Sequence, residues 1–196
     1  MTMALLGEKQ ALRDKVTQAR QALTTPYRQQ ASAKMAAAVQ ALEVYKAAQS
    51  IFLYASMSDE VQLYGLLEAA LQAGKAVTLP RITGKRTMEA VRLSSLTDLV
   101  PGKYGIKTVN PARAETFPAD QLDLIIVPGA AFDECGHRLG LGGGFYDIFM
   151  TVKAPQAYRL ALAFDCQLVE SVPVEPHDVA VDMLLTESKC LKVSDK

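Results

Sequence analysis

The seven residues from Leu122 to Pro128, LDLIIVP, read as a buried strand. They feed directly into GAAFDECGHRLGLGGGFYD, Gly129 to Asp147, which holds six of the chain's twelve glycines. Few architectures accept that junction. Glycine has no Cβ, so the chain turns through positive φ and aims several backbone N–H groups at one anion. Behind the loop, Phe145-Tyr146-Asp147-Ile148-Phe149-Met150 opens a helix. The glycine run therefore occupies the strand-to-helix turn where α/β proteins hold their ligands. Glycine clusters also make plain tight turns and surface loops. Arg138, with its fixed charge and its donor fork suited to phosphate, argues for the anion. Asp147 closes the run with a carboxylate suited to a divalent cation, the usual companion of nucleotide phosphates.

Two familiar phosphate motifs fail on inspection. A P-loop requires lysine and a hydroxyl residue after its last glycine, whereas Phe145 and Tyr146 follow Gly144. The dinucleotide fingerprint fails because, after Gly140 and Gly142, its third glycine falls on Phe145, and the loop lies late in the chain. No G-x-S-x-G elbow of a serine hydrolase is present.

Periodicity supplies the surrounding frame. Leu5, Leu12, Val16, Ala19 and Leu23 share one helical face. Thr24 or Thr25 before Pro26 stops that helix and caps a second one. Ala31 to Ala48 continues as helix through Met35, Val39, Leu42 and Tyr45 or Lys46, and Ile51 to Tyr54 is a first strand. Ser58 is expected to cap the next helix, which runs to about Ala73 with Gly74 as its stop. Ala76 to Pro80 is a second strand, and Met88 to Leu93 a third, more exposed one. Thr97 to Asp120 is turn-rich, while Tyr158 to Phe164 and Met183 to Thr186 are later strands. Strands alternating with helices imply a mainly parallel sheet covered on both faces, a three-layer α/β/α fold.

Charged residues outside the loop follow. Lys9 and Arg13 lie four apart on the first helix, a like-charge spacing that costs a few tenths of a kcal/mol unless neutralised. Glu8 and Asp14 neutralise them on a solvated face, or both cations reach a ligand from the edge of the apolar stripe. Glu60 is expected in the first turn of its helix, where the dipole favours an acid. Val172-Pro173-Val174-Glu175-Pro176-His177-Asp178 with Asp182 reads either as an ordinary surface loop or as a source of a second metal carboxylate.

Composition excludes other classes. With 196 residues and no linker-like stretch, a single domain over 1–196 is expected. Twenty-one basic against 21 acidic residues give no net field, which disfavours nucleic acid as partner. The start MTMALLGEKQ becomes charged too soon for a signal peptide. No apolar run approaches the roughly 18 residues of a membrane span. Cys135, Cys166 and Cys190 form no C-x-x-C pair, so neither a disulfide framework nor a zinc knuckle is indicated, and a cytoplasmic location is expected.

These segments together resemble the 5-formyltetrahydrofolate cyclo-ligase family, also known as methenyltetrahydrofolate synthetases. The resemblance rests on Lys9 with Arg13, Ser56-Met57-Ser58-Asp59-Glu60-Val61, Leu79-Pro80, Val127-Pro128-Gly129, Phe132-Asp133 and Gly136. Its strongest part is Arg138-Leu139-Gly140-Leu141-Gly142-Gly143-Gly144-Phe145-Tyr146-Asp147, followed by Gln167, Pro173, His177-Asp178, Asp182 and Thr186-Glu187. It implies a ligase that closes 5-formyltetrahydrofolate to 5,10-methenyltetrahydrofolate using ATP and Mg2+, on the fold shared with sugar-phosphate isomerases and coenzyme A transferases. By the same resemblance Lys9, Arg13, Arg138, Leu139, Gly140, Leu141, Gly142, Gly143, Gly144, Phe145 and Tyr146 would bind ATP, with Lys9, Arg13 and Arg138 as catalytic cations. Ala55, Glu60 and residues Leu141 to Tyr146 would contact the folate, and Asp147 and Asp178 would hold magnesium. The implied partner is 5-formyltetrahydrofolate, with or without a polyglutamate tail, for a monomer or weak homodimer that uses neither nucleic acid nor membrane.

The chain departs from the family pattern in places. Leu141 and Phe145 stand where tyrosines are common, Gly143 where some members carry lysine, Ile148 where a basic residue is usual, and Leu63 where threonine is usual. Gly105 to Pro111 is an altered form of a family segment. Competing readings are a folate- or nucleotide-binding protein without turnover, or coenzyme A transfer or sugar-phosphate isomerisation on the same fold. Both carboxylates argue against the first, and no glutamate in a glycine-lined setting supports the transferase.

Overall fold

Strict alternation of apolar side chains along each central strand sends them to two opposite faces of one sheet. In the computed structural model, residues 3–102 and 105–193 are described; Lys103 and Tyr104 of the turn-rich stretch, Met1 and Thr2 of the opening segment, and 194–196 lie outside them. The helices are α1 (Met3–Ala22), α2 (Thr25–Ala41), α3 (Glu43–Ala47), α4 (Tyr64–Gln72) and α5 (Phe145–Ile148), the last continued by a π-helical turn, Phe149–Lys153. The first six strands are β1 (Ser50–Phe52), β2 (Ala76–Gly84), β3 (Thr87–Arg92), β4 (Leu99–Pro101), β5 (Lys107–Val109) and β6 (Thr116–Phe117). They are followed by β7 (Leu124–Val127), β8 (Ala131–Phe132), β9 (Arg138–Leu139), β10 (Tyr158–Leu162), β11 (Met183–Leu185) and β12 (Cys190–Lys192).

Among the described residues, eight strands form one sheet in the order β12-β11-β10-β7-β1-β2-β3-β6. The five central strands from β11 to β2 run parallel, and β12, β3 and β6 pair antiparallel at the margins. Ile51, Leu53, Leu124, Ile126, Leu160 and Leu162 pack beneath α2, α3 and α4. Phe52, Ile125, Val127 and Ala161 face the other way, against Phe149, Met150 and Ala154. That gives the expected α/β layering. Strands buried on both faces need near-continuous apolar sequence, which β7 supplies as Leu124-Ile125-Ile126-Val127.

Helix α1 covers neither face. Its Val16 packs with Ala131, Leu139 and Val172 in a small separate cluster, so α1 lies on the hairpin β8–β9 at the carboxyl edge of the sheet. Here it presents its cations.

Three expectations require correction. Ser58 does not cap a helix: α4 begins at Tyr64, and Glu60 lies in a turn before it. The Glu60 carboxylate accepts from Met57 N at 2.8 Å, and Ser56 Oγ donates to Val61 O while accepting from Leu63 N. Those local bonds offer the backbone a competing partner and hold off the helix. The second helix breaks at Leu42, whose extended φ, ψ of −68°, 138° restarts the chain as α3 and buries Tyr45 and Ala48. The third strand is less exposed than expected, because β6 pairs outside it and Met88, Ala90 and Val91 enter the core. Of the two expected caps before Pro26, Thr24 is the one used: it is the N-cap of α2 and accepts from Tyr27 N, with Pro26 in the first turn.

Candidate active site

Lys9, Arg13 and Arg20 recur at i, i+4 and i+11 on α1, a spacing that aligns them along one side of the helix. Each reaches a different part of the carboxyl edge. Lys9 Nζ donates to Asp178 Oδ2 at 2.6 Å and to Glu175 Oε2 at 3.0 Å. Arg13 Nε donates to Gly140 O at 2.8 Å. Arg20 donates through Nε and Nη2 to Asp59 Oδ2, at 3.2 and 2.7 Å. Lys9 is buried, which alone lowers its pKa, yet the bonds and charges of Asp178 and Glu175 outweigh burial and leave it raised. Burial alone would raise the Asp178 pKa, but the Lys9 ammonium and the Glu175 N–H hold it below the ordinary carboxylate value.

Arg138 forms the floor of the glycine loop. Its Nη2 donates to Asp147 Oδ1 at 2.6 Å and its Nη1 to Pro128 O at 3.2 Å, while Nε is buried without a partner among the described residues. Close approach explains Gly140: a Cβ there would stand 2.8 Å from Arg138 Nη1. Gly142 and Gly144 take φ of +97° and +67°, which ordinary side chains resist. Asp147 Oδ1 also accepts from Val179 N at 3.3 Å. Residues 31 positions apart, Asp147 and Asp178, are thereby brought to one place.

A sequence model of the 5-formyltetrahydrofolate cyclo-ligase family matches residues 6–187. The chain belongs to this cyclo-ligase family. A 5-formyltetrahydrofolate cyclo-ligase of Escherichia coli is 32% identical over 179 residues, covering 89% of this chain and 97% of that one. The mouse (Mus musculus) enzyme of the same name is 31% identical over 195 residues, covering 91% and 93%. The solved 5,10-methenyltetrahydrofolate synthetase of Aquifex aeolicus superposes with a TM-score of 0.84 at 31% identity, covering 96% of this chain and 94% of that one.

In this cyclo-ligase family member the other resemblance residues divide into two groups. Ala55, Glu60 and Tyr146 lie at the carboxyl edge, near the crevice between Arg20, Tyr54, Gly129 and Gln167. Burial raises the Glu60 pKa, partly offset by the Met57 N–H and by Arg20. Burial and the nearby Glu60 charge raise that of Tyr146, whose buried hydroxyl has no partner among the described residues. Phe145 lies against the backbone of Gly143, where a Cβ would approach its ring to 2.7 Å. Leu139 is buried beneath α1, whereas Leu141 is exposed at the rim.

The second group supports the loop. Asp133 accepts from the N–H groups of Cys135, His137 and Val172 and from His137 Nδ1. Gln167 donates to the carbonyls of Gly129 and Ala130. Asp182 accepts from Arg159 N and so sits at the opposite end of the strands. A wider cleft of about 380 Å³ opens at that end, between Asp123, Arg159 and Asp182. Both its acids are engaged with backbone N–H groups.

Sequence reasoning missed the placement of Arg20 and the pairing of Glu175 with Lys9. The helical repeat Lys9, Arg13, Val16, Arg20 carried the signal for the first. The second depends on chain segments 166 residues apart and has no local signature.

Proposed function

We propose that this protein closes 5-formyltetrahydrofolate to 5,10-methenyltetrahydrofolate in an ATP- and Mg2+-dependent reaction that releases ADP and phosphate. The reading is supported above all by the meeting of Arg138–Asp147 with Lys9–Asp178 beside a glycine-rich loop, in a member of the cyclo-ligase family. Three cations and loop N–H groups suit a triphosphate. The carboxylates also fit a hard cation. Asp147 and Asp178 each use one oxygen for the bonds described, leaving Asp147 Oδ2 and Asp178 Oδ1 available as oxygen ligands. Bound there, magnesium would neutralise phosphate charge.

The chemistry asks little covalent help from the protein. The formyl oxygen on N5 is a poor leaving group as hydroxide, so it takes the γ-phosphoryl group of ATP, and ADP departs. N10 then attacks the activated carbon, loses its proton, and phosphate leaves from the same carbon. Lys9, Arg13 and Arg138 would position the nucleotide and stabilise charge developing on the transferred group. Ala55, Glu60 and Tyr146 would contact the folate, and no protein nucleophile is required. The same reading takes residues 1–196 as one cytoplasmic domain, acting as a monomer or weak homodimer.

Absorbance of the methenyl product tests the proposal directly. Signal is expected only with folate, ATP and magnesium together. Asp147→Ala and Asp178→Ala should each reduce the rate on the order of 100-fold or more and blunt its magnesium dependence. Folate binding without turnover would favour a non-catalytic binder. Binding of coenzyme A or a sugar phosphate, with no response to folate, would favour the other enzymes considered for this fold.

A further inference from the structure

We infer that Arg86, at the tip of the hairpin joining β2 and β3, is a third guanidinium of the glycine-loop site and binds a phosphate of the nucleotide. This rests on the proposed nucleotide reading of residues 138–147. Arg86 is the only non-glycine residue with positive φ among the described residues, at +58°. The strand pairs flanking it, Gly84 with Thr87 and Ile82 with Met88, fix the turn, and a register shift between Ile82 and Gly84 bends it. An arginine gains nothing intrinsic from that conformation. Such outliers collect where side-chain placement matters.

The placement here is specific. Arg86 Nε lies 3.9 Å from where a Cβ on Gly144 would stand. Arg13 holds the same relation to Gly142, with its Nη2 at 4.0 Å, and Arg138 Nη1 to Gly140, at 2.8 Å. Alternate glycines of the loop thus each meet a guanidinium from a different element: β9, α1 and the β2–β3 hairpin.

Their existing partners differ. Arg138 is paired with Asp147, and among the described residues Arg13 binds only neutral acceptors, Gly140 O and Gln10 Oε1. Arg86 is exposed and takes part in no hydrogen bond or ion pair among the described residues. Two fixed positive charges around residues 140–144 therefore lack a counter-charge among the described residues. That excess suits a multiply charged phosphate chain better than one carboxylate of a folate tail.

The test compares wild type with Arg86→Gly and Arg86→Lys. Glycine accepts the positive φ, so Arg86→Gly removes the guanidinium while relieving the backbone, and it should unfold at no lower temperature than wild type. Calorimetric binding of a non-hydrolysable ATP analogue with magnesium should weaken about 10- to 100-fold in Arg86→Gly and recover in part in Arg86→Lys. The KM for ATP should rise while that for monoglutamyl 5-formyltetrahydrofolate holds. Analogue binding by Arg86→Gly within about twofold of wild type would overturn the inference. So would a loss confined to polyglutamyl substrate, which would assign Arg86 to the folate tail. Failure of wild type itself to bind the analogue would reject the nucleotide reading, and this inference with it.

Discussion

At the scale of single residues, close approaches at Gly140 and Gly143 leave no room for an added methyl group unless a side chain moves. Gly140→Ala places its Cβ 2.8 Å from Arg138 Nη1, so the guanidinium must leave the position from which it binds Asp147. Turnover is expected to fall on the order of 100-fold. Global stability should change little by comparison, because the added methyl meets only the far end of a flexible side chain. Steady-state kinetics and urea unfolding separate the two effects, and near-normal turnover would show that Arg138 does not need its present position. Glu60 gives a second residue-scale prediction. Burial raises its pKa above the ordinary 4.5, so between 4.5 and the native value the folded protein holds more protons than the unfolded chain. Stability contributed by this group therefore declines as pH rises through that window and levels off above it. Glu60→Gln stays neutral and keeps an acceptor for Met57 N. Its stability relative to wild type should grow as pH rises from 4.5 and then become constant. A difference independent of pH across that range would mean that Glu60 ionises as freely folded as unfolded.

At the scale of elements, local chemistry explains which boundaries could be read in advance. Helix α2 starts where Thr24 meets Pro26, and Thr24→Ala, which removes the acceptor for Tyr27 N, should destabilise the protein by ~1 kcal/mol. Chemical unfolding checks this, and no change would show that the end is held by packing alone. Gly74 was equally legible as the stop of α4, because its φ of +72° suits the residue after a helix. The start of α4 was not. Ser58 and Glu60 have the residue types of a helix entry, but the side chains of Ser56, Glu60 and Gln62 bind nearby backbone groups and keep Ser56 to Leu63 non-helical. Likewise Arg138 and Asp147 were legible from the glycine run, and Lys9 and Arg13 only as one of two readings of their spacing. The ion pair of Lys9 with Asp178 and the approach of Arg86 to Gly144 were not, since each joins segments that meet only once the sheet has formed.

At the scale of the whole molecule, the scaffold and the working edge differ in how firmly they are held. The central strands β1, β7 and β10 are buried between two apolar layers. Helix α1, by contrast, buries only Lys9, Val16 and Arg20 of its twenty residues and packs through the small cluster around Val16, Ala131 and Leu139. An element with so little buried apolar area opens at lower cost than the core strands. In the absence of nucleotide, amides of α1 should therefore exchange with solvent faster than those of β1 and β7. A ligand held by Lys9 and Arg13 binds only when α1 is in place. At a hundredfold excess over its Kd, nucleotide with magnesium should add about 2.7 kcal/mol to closure, slowing α1 exchange about 100-fold. Hydrogen exchange followed by mass spectrometry resolves α1 from the strands. Exchange in α1 already as slow as in β1, and unchanged by nucleotide, would mean that this helix is part of the rigid scaffold. Selective protection would mean that the cations of α1 are assembled into the site by the ligand they hold.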